Sequence, residues 1–358
     1  LILCDTAVAV ALALGIFCGI LAAKRKAAPV AAVQTPPPPI KSTITLSFAG
    51  DCTLGSDPKF SYAGSFHERF AIEGENHAYF FENVRPIFEK DTISFVNFEG
   101  TLTARDERAE KTYTFKGPAH YTEILKAGDI EVVSLANNHT YDFLEAGYED
   151  TKKALEEAEI EYAAGSKYAL FAVSPEKTEV VKEAREKKAD ETYIGYAAFS
   201  IWYDDGEVRA NIKKAIDTLR AQGADAVFMS FHWGLEGDHY PYDVQKAIGR
   251  YAVDMGADGV IGHHPHVIQG IEEYKGREIV YSLGNFCFGG NHNPTDKDCF
   301  IYQLSRETED GKMTGAWESE IIPCRISSRT DINDYKPTPL SGDDAKRLLE
   351  RIETYSGR

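Results

Sequence analysis

Three times in this chain a stretch with helical spacing ends at a glycine, a short apolar strand follows, and a histidine comes next. The first unit passes from Gly128-Asp129 through IEVVSLA to Asn137-Asn138-His139. The second passes from Gly223-Ala224-Asp225 through AVFMSF to His232. The third passes from Gly256-Ala257-Asp258 through GVI to Gly262-His263-His264-Pro265-His266. A glycine just past a helix caps it at little cost, because it enters the left-handed region freely. Before the second unit, Ile212, Ala215, Ile216 and Leu219 share one helical face; before the third, Ala247, Ile248, Tyr251 and Ala252 do. Helix feeding strand, repeated, predicts an α/β fold with largely parallel pairing.

Five runs rich in β-branched and aromatic residues read as strands: 44–48, 93–96, 131–135, 226–231 and 259–261. In α/β sheets, ligands bind beyond the carboxyl ends of strands. Here those ends carry Asp51, Glu99, Asn138-His139, His232 and His264/His266. Each has an ordinary alternative. Gly50-Asp51 could be a turn, Asn138 could close an Asx turn, Glu99 could face water, and His232 could pack on Trp233. Five ends that all deliver metal-compatible donors point instead to one cation site. In an extended segment, residues two apart face the same way. His264 and His266 would then present paired imidazoles, a natural site for a borderline metal, while His263 faces away as a structural or supporting residue.

Acidic residues number 56 against 39 basic ones, a net charge of −17. That balance excludes a nucleic-acid binder, which must neutralise phosphates with Lys and Arg. It permits phosphate chemistry where metal ions supply the positive charge. Six cysteines without a CxxC pair exclude a Cys-based zinc site. No GxxxxGK[ST] loop is present, so any ATP-dependent step would fall to a partner. The uncharged run 7–23 reads as a signal-anchor or a signal peptide. Pro36 to Pro39 make the following linker a stiff spacer. Lys24-Arg25-Lys26 alone would hold the next domain inside the cell, and charges upstream of Leu1 would reverse that. The expected placement is a single anchor in the cell membrane with the globular domain outside.

In chain order, six blocks resemble the CapA family of bacterial capsule and poly-γ-glutamate synthesis proteins, relatives of the metallo-dependent phosphatases. They are Gly50-Asp51…Leu54-Gly55, Asn97-Phe98-Glu99, Asn137-Asn138-His139…Asp142…Gly147, His232-Trp233-Gly234…Glu236, Gly262-His263-His264-Pro265-His266 and Tyr281-Ser282-Leu283-Gly284-Asn285-Phe286. They span residues 44–288. The resemblance implies an α/β fold in the form of a four-layer α/β/β/α sandwich, with two divalent metal ions between its sheets. The donor set suits Mn, Fe or Zn. By the same resemblance Asp51 would bind the first ion, and Glu99 stands where the superfamily has a bridging Asp. Asn138, His232 and His264 would hold the second ion, and His266 would return to the first. His139 would stand near the substrate as general acid or charge stabiliser.

This chain departs from the broader phosphatase pattern Asp-x-His, because Thr53 stands at the third position. The first ion would lose a histidine ligand, and Cys52 alternates away from Asp51. Asn97, Trp233 and Glu236 are candidates for the substrate groove, with core packing as the competing role for Trp233. Lys111, Lys116 and Arg105 share a segment that either covers the site or forms a solvated loop. The implied activity is phosphoester hydrolysis in capsule or poly-γ-glutamate synthesis. The alternative is a non-catalytic accessory subunit of a capsule synthesis or export complex. The implied partners are the membrane, an anionic polymer or phosphoester, and capsule synthase subunits. The expected divisions are an anchor at 1–26, a linker at 27–40, a metallophosphatase-type domain at 41–305, and C-terminal strands and helix at 306–358 that complete or flank that domain. Within the last, 312–322 reads as a strand pair and 343–355 as a helix with Leu348, Leu349 and Ile352 on its apolar side. Cys287 and Cys299 could form a disulfide in an extracellular domain.

Overall fold

Alternation along two long strands sets the architecture. On the strand Ala226–His232, Ala226 and Phe228 join one apolar cluster, while Val227, Met229 and Phe231 join another. A strand buried on both faces needs apolar residues in both registers. The strand Lys41–Thr53 does the same: Ile44, Leu46 and Phe48 face one cluster, and Ala49 and Cys52 the other. The computed structural model describes residues 38–183 and 185–357. The expected membrane run, and all of the linker before position 38, lie outside the described residues. Among those described, no helix is long and apolar enough to cross a membrane.

The result is two sheets packed face to face with helices outside each. One sheet runs in the order Thr338–Pro339, Glu318–Arg325, Asp298–Glu309, Lys41–Thr53, Ile93–Phe98, Val132–Ser134, Glu161–Ala163. The other runs Ile271–Tyr274, Arg277–Val280, Gly259–His263, Ala226–His232, Thr192–Ser200, Ala169–Val173, Thr178–Val180. Phe48 and Phe95 stack between the sheets with ring centroids 4.8 Å apart, and Phe48 meets Phe228 of the second sheet. Fully burying a side chain of this size contributes about 2–3 kcal/mol. Helices Gly206–Ala221 and Asp243–Asp254 cover the second sheet. Phe66, Phe80, Phe81 and the helix Leu144–Glu157 cover the first. This is the four-layer α/β/β/α sandwich.

The three helix–strand units divide between the sheets. Val132–Ser134 pairs parallel with Ile93–Phe98 in the first sheet. Ala226–His232 and Gly259–His263 pair parallel in the second. Gly223 and Gly256 take the left-handed caps, with φ of 95° and 106°. At the first unit Asp129 takes that conformation instead, with φ of 62°. Gly128 is needed there for space, since a Cβ would lie 2.6 Å from the Phe81 ring.

Three expectations about the C-terminal part change. The strand Asp298–Glu309 runs through position 305 and pairs antiparallel with Lys41–Thr53, so a division at 305/306 would cut a strand of the main sheet. Lys312–Met313 and Glu318–Arg325 each pair with Asp298–Glu309 rather than with each other. Cys287 and Cys299 are free, buried thiols in the first sheet's helix-side core. The C-terminal helix is Gly342–Tyr355, with Leu348 and Ile352 buried.

Candidate metal centre

Each candidate residue arrives at the carboxyl end of a strand. Asp51 ends the bulged stretch of Lys41–Thr53, where the register with Ile93–Phe98 shifts after Phe48. Gly50 permits this bulge, because a Cβ there would lie 2.0 Å from the Gly284 carbonyl oxygen. The Asp51 amide donates to that same oxygen at 3.0 Å. Asn97 lies in Ile93–Phe98 and Glu99 follows it. The amide of Asn97 bridges the two acids, with Nδ2 2.9 Å from Asp51 Oδ1 and 3.0 Å from Glu99 Oε1. Asn137 in turn donates to Asn97 Oδ1 at 3.2 Å. Asn97 is fully buried and spent on the carboxylates, so its expected place in the substrate groove is not what the structure gives.

From the second sheet come the histidines. His263 ends its strand with Nδ1 3.2 Å from Asp51 Oδ1, close beside a site it was expected to face away from. His264, Pro265 and His266 are not extended as alternation predicted. His264 and His266 both have positive φ, 97° and 58°, so the segment is a tight turn. Such backbone costs of order 1–3 kcal/mol per residue and persists where the surroundings enforce it. Here the His264 amide donates to Asp51 Oδ2 at 3.2 Å, and His266 Nδ1 lies 3.1 Å from the same oxygen.

Two donor groups form around His266. Ligand atoms of Asp51, Glu99 and His266 lie within 4.8 Å of one another, and so do those of Glu236, His264 and His266. Glu236, read from sequence as a groove residue, therefore stands among metal-type donors. His232 and His264 rings lie 4.6 Å apart, and His232 Nε2 is 2.8 Å from Asn138 Oδ1. Trp233 is fully buried in the helix-side core and donates to the Tyr281 carbonyl at 2.9 Å. It is one residue past His232 and so faces the other way, which removes it from the groove. Cys52 lies in the helix-side core, and Thr53 brings a buried hydroxyl without a partner.

Burial sets the charge states. It would raise the Asp51 pKa, but the His263 and His266 rings beside it hold that carboxyl well below the ordinary range. Burial and the Asp51 charge push Glu99 well above it. Burial disfavours a charged His266, but Glu99 and Asp51 override it and raise His266 to about 9. Burial, helped by the neighbouring His266 charge, lowers His264 to about 4. Burial also lowers His232, with His264 adding to the effect. A protonated His266 thus sits between two buried acids, with the neutral ring of His264 beside it.

A divalent ion fits this donor set. Glu99 Oε2 and His264 Nδ1 are buried without a hydrogen-bond partner, a costly state that coordination would relieve. Carboxylates are paired with imidazoles, the mixture that Mn, Fe and Zn accept.

His139 stands beside the group. Its Nδ1 is 2.8 Å from Asp142 Oδ2, and Lys111 Nζ reaches Asp142 Oδ1 at 2.7 Å and the Asn138 carbonyl at 2.8 Å. Burial lowers the His139 pKa against the opposing pull of Asp142. Lys111 therefore belongs to the segment's site-covering role, whereas Arg105 pairs outward with Asp150 and Lys116 with Asp106. A cleft of 630 Å³ opens over His139, His266 and Glu236. Sequence reasoning missed Trp202, whose ring meets His264 edge-on at 4.9 Å. It follows the strand Thr192–Ser200, whose strand-like run was the available signal. Asp142 and Asn285 stood within the motif blocks without a role. The i, i+3 spacing of His139 and Asp142 was the signal for the first.

Residues 45–290 match the family model described as "Bacterial capsule synthesis protein PGA_cap". The chain belongs to this family. Among PGA_cap relatives, "Capsule biosynthesis protein CapA" of Bacillus anthracis is 29% identical over 321 residues, 86% of this chain and 72% of that protein. "PGA biosynthesis protein CapA" of Bacillus subtilis (strain 168) is 29% identical, over 85% of this chain and 76% of that protein. A "Probable polyglutamine synthesis accessory protein" of Mycobacterium tuberculosis is 25% identical, over 74% of this chain and 73% of that protein. The PGA_cap match spans every strand end described above, from Asp51 to His266.

Proposed function

We propose that this PGA_cap protein is a metal-dependent phosphoester hydrolase serving capsule or poly-γ-glutamate synthesis at the cell membrane. The observation that carries the reading is the pair of donor groups meeting at His266 beneath an open cleft. Asp51, Glu99 and His266 would hold one divalent ion, and Glu236 and His264 with His266 the other; Asn138 and His232 adjoin the second. When bound, such ions supply Lewis acidity and an activated water.

The chain's own residues do the rest. Asn97 fixes both carboxylates. Asp142 Oδ2 accepts a hydrogen bond from His139 Nδ1–H, which leaves Nε2 as the atom for proton transfer. In hydrolysis a water oxygen bonds to phosphorus, the P–O ester bond breaks, and a water proton ends on the leaving oxygen. His139 would pass that proton. The cleft carries no Lys or Arg among its described lining, so phosphate charge would be met by the ions.

A second reading, a non-catalytic accessory subunit, draws on Thr53, which leaves the first ion one imidazole short. The test is elemental analysis of the full chain with phosphodiesterase assays on bis(p-nitrophenyl) phosphate, for the parent and a His264→Ala/His266→Ala variant. The reading expects bound divalent metal and turnover, both lost in the variant. Absence of metal under non-chelating conditions, or capsule assembly that survives the double substitution, would overturn it.

A further inference from the structure

The cleft lining has two unlike parts. One is a run of rings that starts at the metal centre and ends in solvent. Phe115 lies 4.4 Å from His139, and Tyr113 lies parallel to Phe115 at 6.4 Å with planes 10° apart. Phe60 meets Tyr113 edge-on at 5.9 Å, and Phe288 packs on His266 at 4.9 Å. Tyr113 is 51% exposed, although large apolar faces are favourable to bury. The rest of the lining is polar: Asn291 and Thr295 are exposed on it, His292 between them packs on Phe60 at 5.3 Å, and the carboxylates of Glu236 and Asp296 lie at its edges. Asp296 at its end is held by Arg351 at 2.7 Å. Among the described lining residues there is no Lys or Arg, and the chain as a whole carries −17. An extended polyanion would find nothing there to neutralise it away from the ions.

We infer that this cleft takes an uncharged sugar ring, linked to the phosphoryl group, with its flat face on Tyr113 and Phe60 and its hydroxyls toward Asn291 and Thr295. This rests on the phosphoester reading for the linkage, but the sugar site itself does not. A hexose offers an apolar face and a rim of hydroxyls, which matches exposed aromatic rings lining one cleft with neutral amide and hydroxyl groups. The volume, 630 Å³, lies in the usual range for small-ligand sites, about 300–1,000 Å³.

The experiment has a binding arm and a catalytic arm, both on the full chain. In the first, maltotetraose, chitotetraose, a γ-glutamyl decamer and adenosine are titrated into metal-free protein by calorimetry and ring-proton NMR. At least one oligosaccharide binds, about tenfold more weakly after Tyr113→Ala and nearly unchanged after Tyr113→Phe. Failure of both sugars to bind, indifference to Tyr113→Ala, or tighter binding of the peptide or of adenosine overturns the inference. In the second arm, the ratio of kcat/KM for a glucosyl phosphoester over ethyl phosphate falls about tenfold in Tyr113→Ala/Phe60→Ala. Hydrolysis with an unchanged ratio sinks the sugar site alone. Sugar binding without any hydrolysis sinks the phosphoester reading alone.

Discussion

His266 occupies a position where a proton and a metal ion compete. Asp51 Oδ2 is 3.1 Å from its Nδ1, and Glu99 Oε2 is 3.9 Å from its Nε2. The raised pKa, about 9, means that the ring is charged at neutral pH without metal. Coordination requires neutral imidazole, so binding must expel that proton. Affinity for Mn²⁺ therefore rises with pH up to about 9, by as much as tenfold per unit where one proton is released. Calorimetry in two buffers of different ionisation heat should show the release, and His266→Gln should flatten the dependence. A flat profile in the parent would mean that this ring is not displaced. The neighbouring dyad predicts a different signature. Asp142 fixes the His139 ring through Nδ1 and also accepts the Phe115 amide at 2.5 Å. Asp142→Asn removes the negative charge that supports a protonated His139 ring, and kcat should fall about 10²–10⁴-fold. Circular dichroism that matches the parent would separate this from unfolding.

At the scale of strands and helices, what was legible was periodic. Ala226–His232 and Gly259–His263 follow from their apolar runs, and the strand-end histidines follow from the strands. The unread features are aperiodic. The bulge that carries Asp51 depends on Gly284, far along the chain in the strand-end segment before Asn285, and no local pattern reports it. The His264–His266 turn defeated a correct rule about extended chains because Pro265 sits beyond the strand's last residue, His263. Trp202 was missed because it lies two residues past the strand Thr192–Ser200, at a strand end that no histidine marks. The opposite ends of the strands hold a feature that sequence could not show at all. Asp91 Oδ2 accepts the Ser94 hydroxyl and Glu131 Oε2 accepts the Ser94 amide, both at 2.7 Å. Burial raises Asp91 to about 7 and Glu131 to about 8. Both folded values exceed the unfolded ones, so the folded state holds more protons between pH 4 and 8. Their contribution is fully present below about pH 4 and is lost as pH rises through 7 and 8. Urea midpoints should fall from pH 5 to 8, with a limiting slope of about 1.4 kcal/mol per pH unit for each of the two carboxyls while it stays protonated in the folded state. Asp91→Asn/Glu131→Gln keeps the acceptors and should remove the slope.

The whole molecule places its candidate metal centre across a seam. Asp51 and Glu99 come from one sheet, and His232, His264 and His266 from the other, so an ion bound to both sets would cross-link two sheets that apolar packing and a few bonds such as His232 to Asn138 already join. The charge balance has the same direction. Buried acids and a net −17 oppose compactness, and divalent ions at the acids would offset part of that opposition. A ligand that binds only the folded state adds RT ln(1 + [L]/Kd), about 2.7 kcal/mol at a hundredfold excess over Kd. For a chain of this length such a gain moves Tm upward by several degrees. Mn²⁺ added to chelator-treated full chain should therefore raise Tm with a dependence on concentration, and His264→Ala/His266→Ala should abolish the rise. Mg²⁺, which prefers oxygen ligands, should produce less of it. A Tm indifferent to Mn²⁺ would mean that the two sheets deliver their donors to one place without an ion ever joining them.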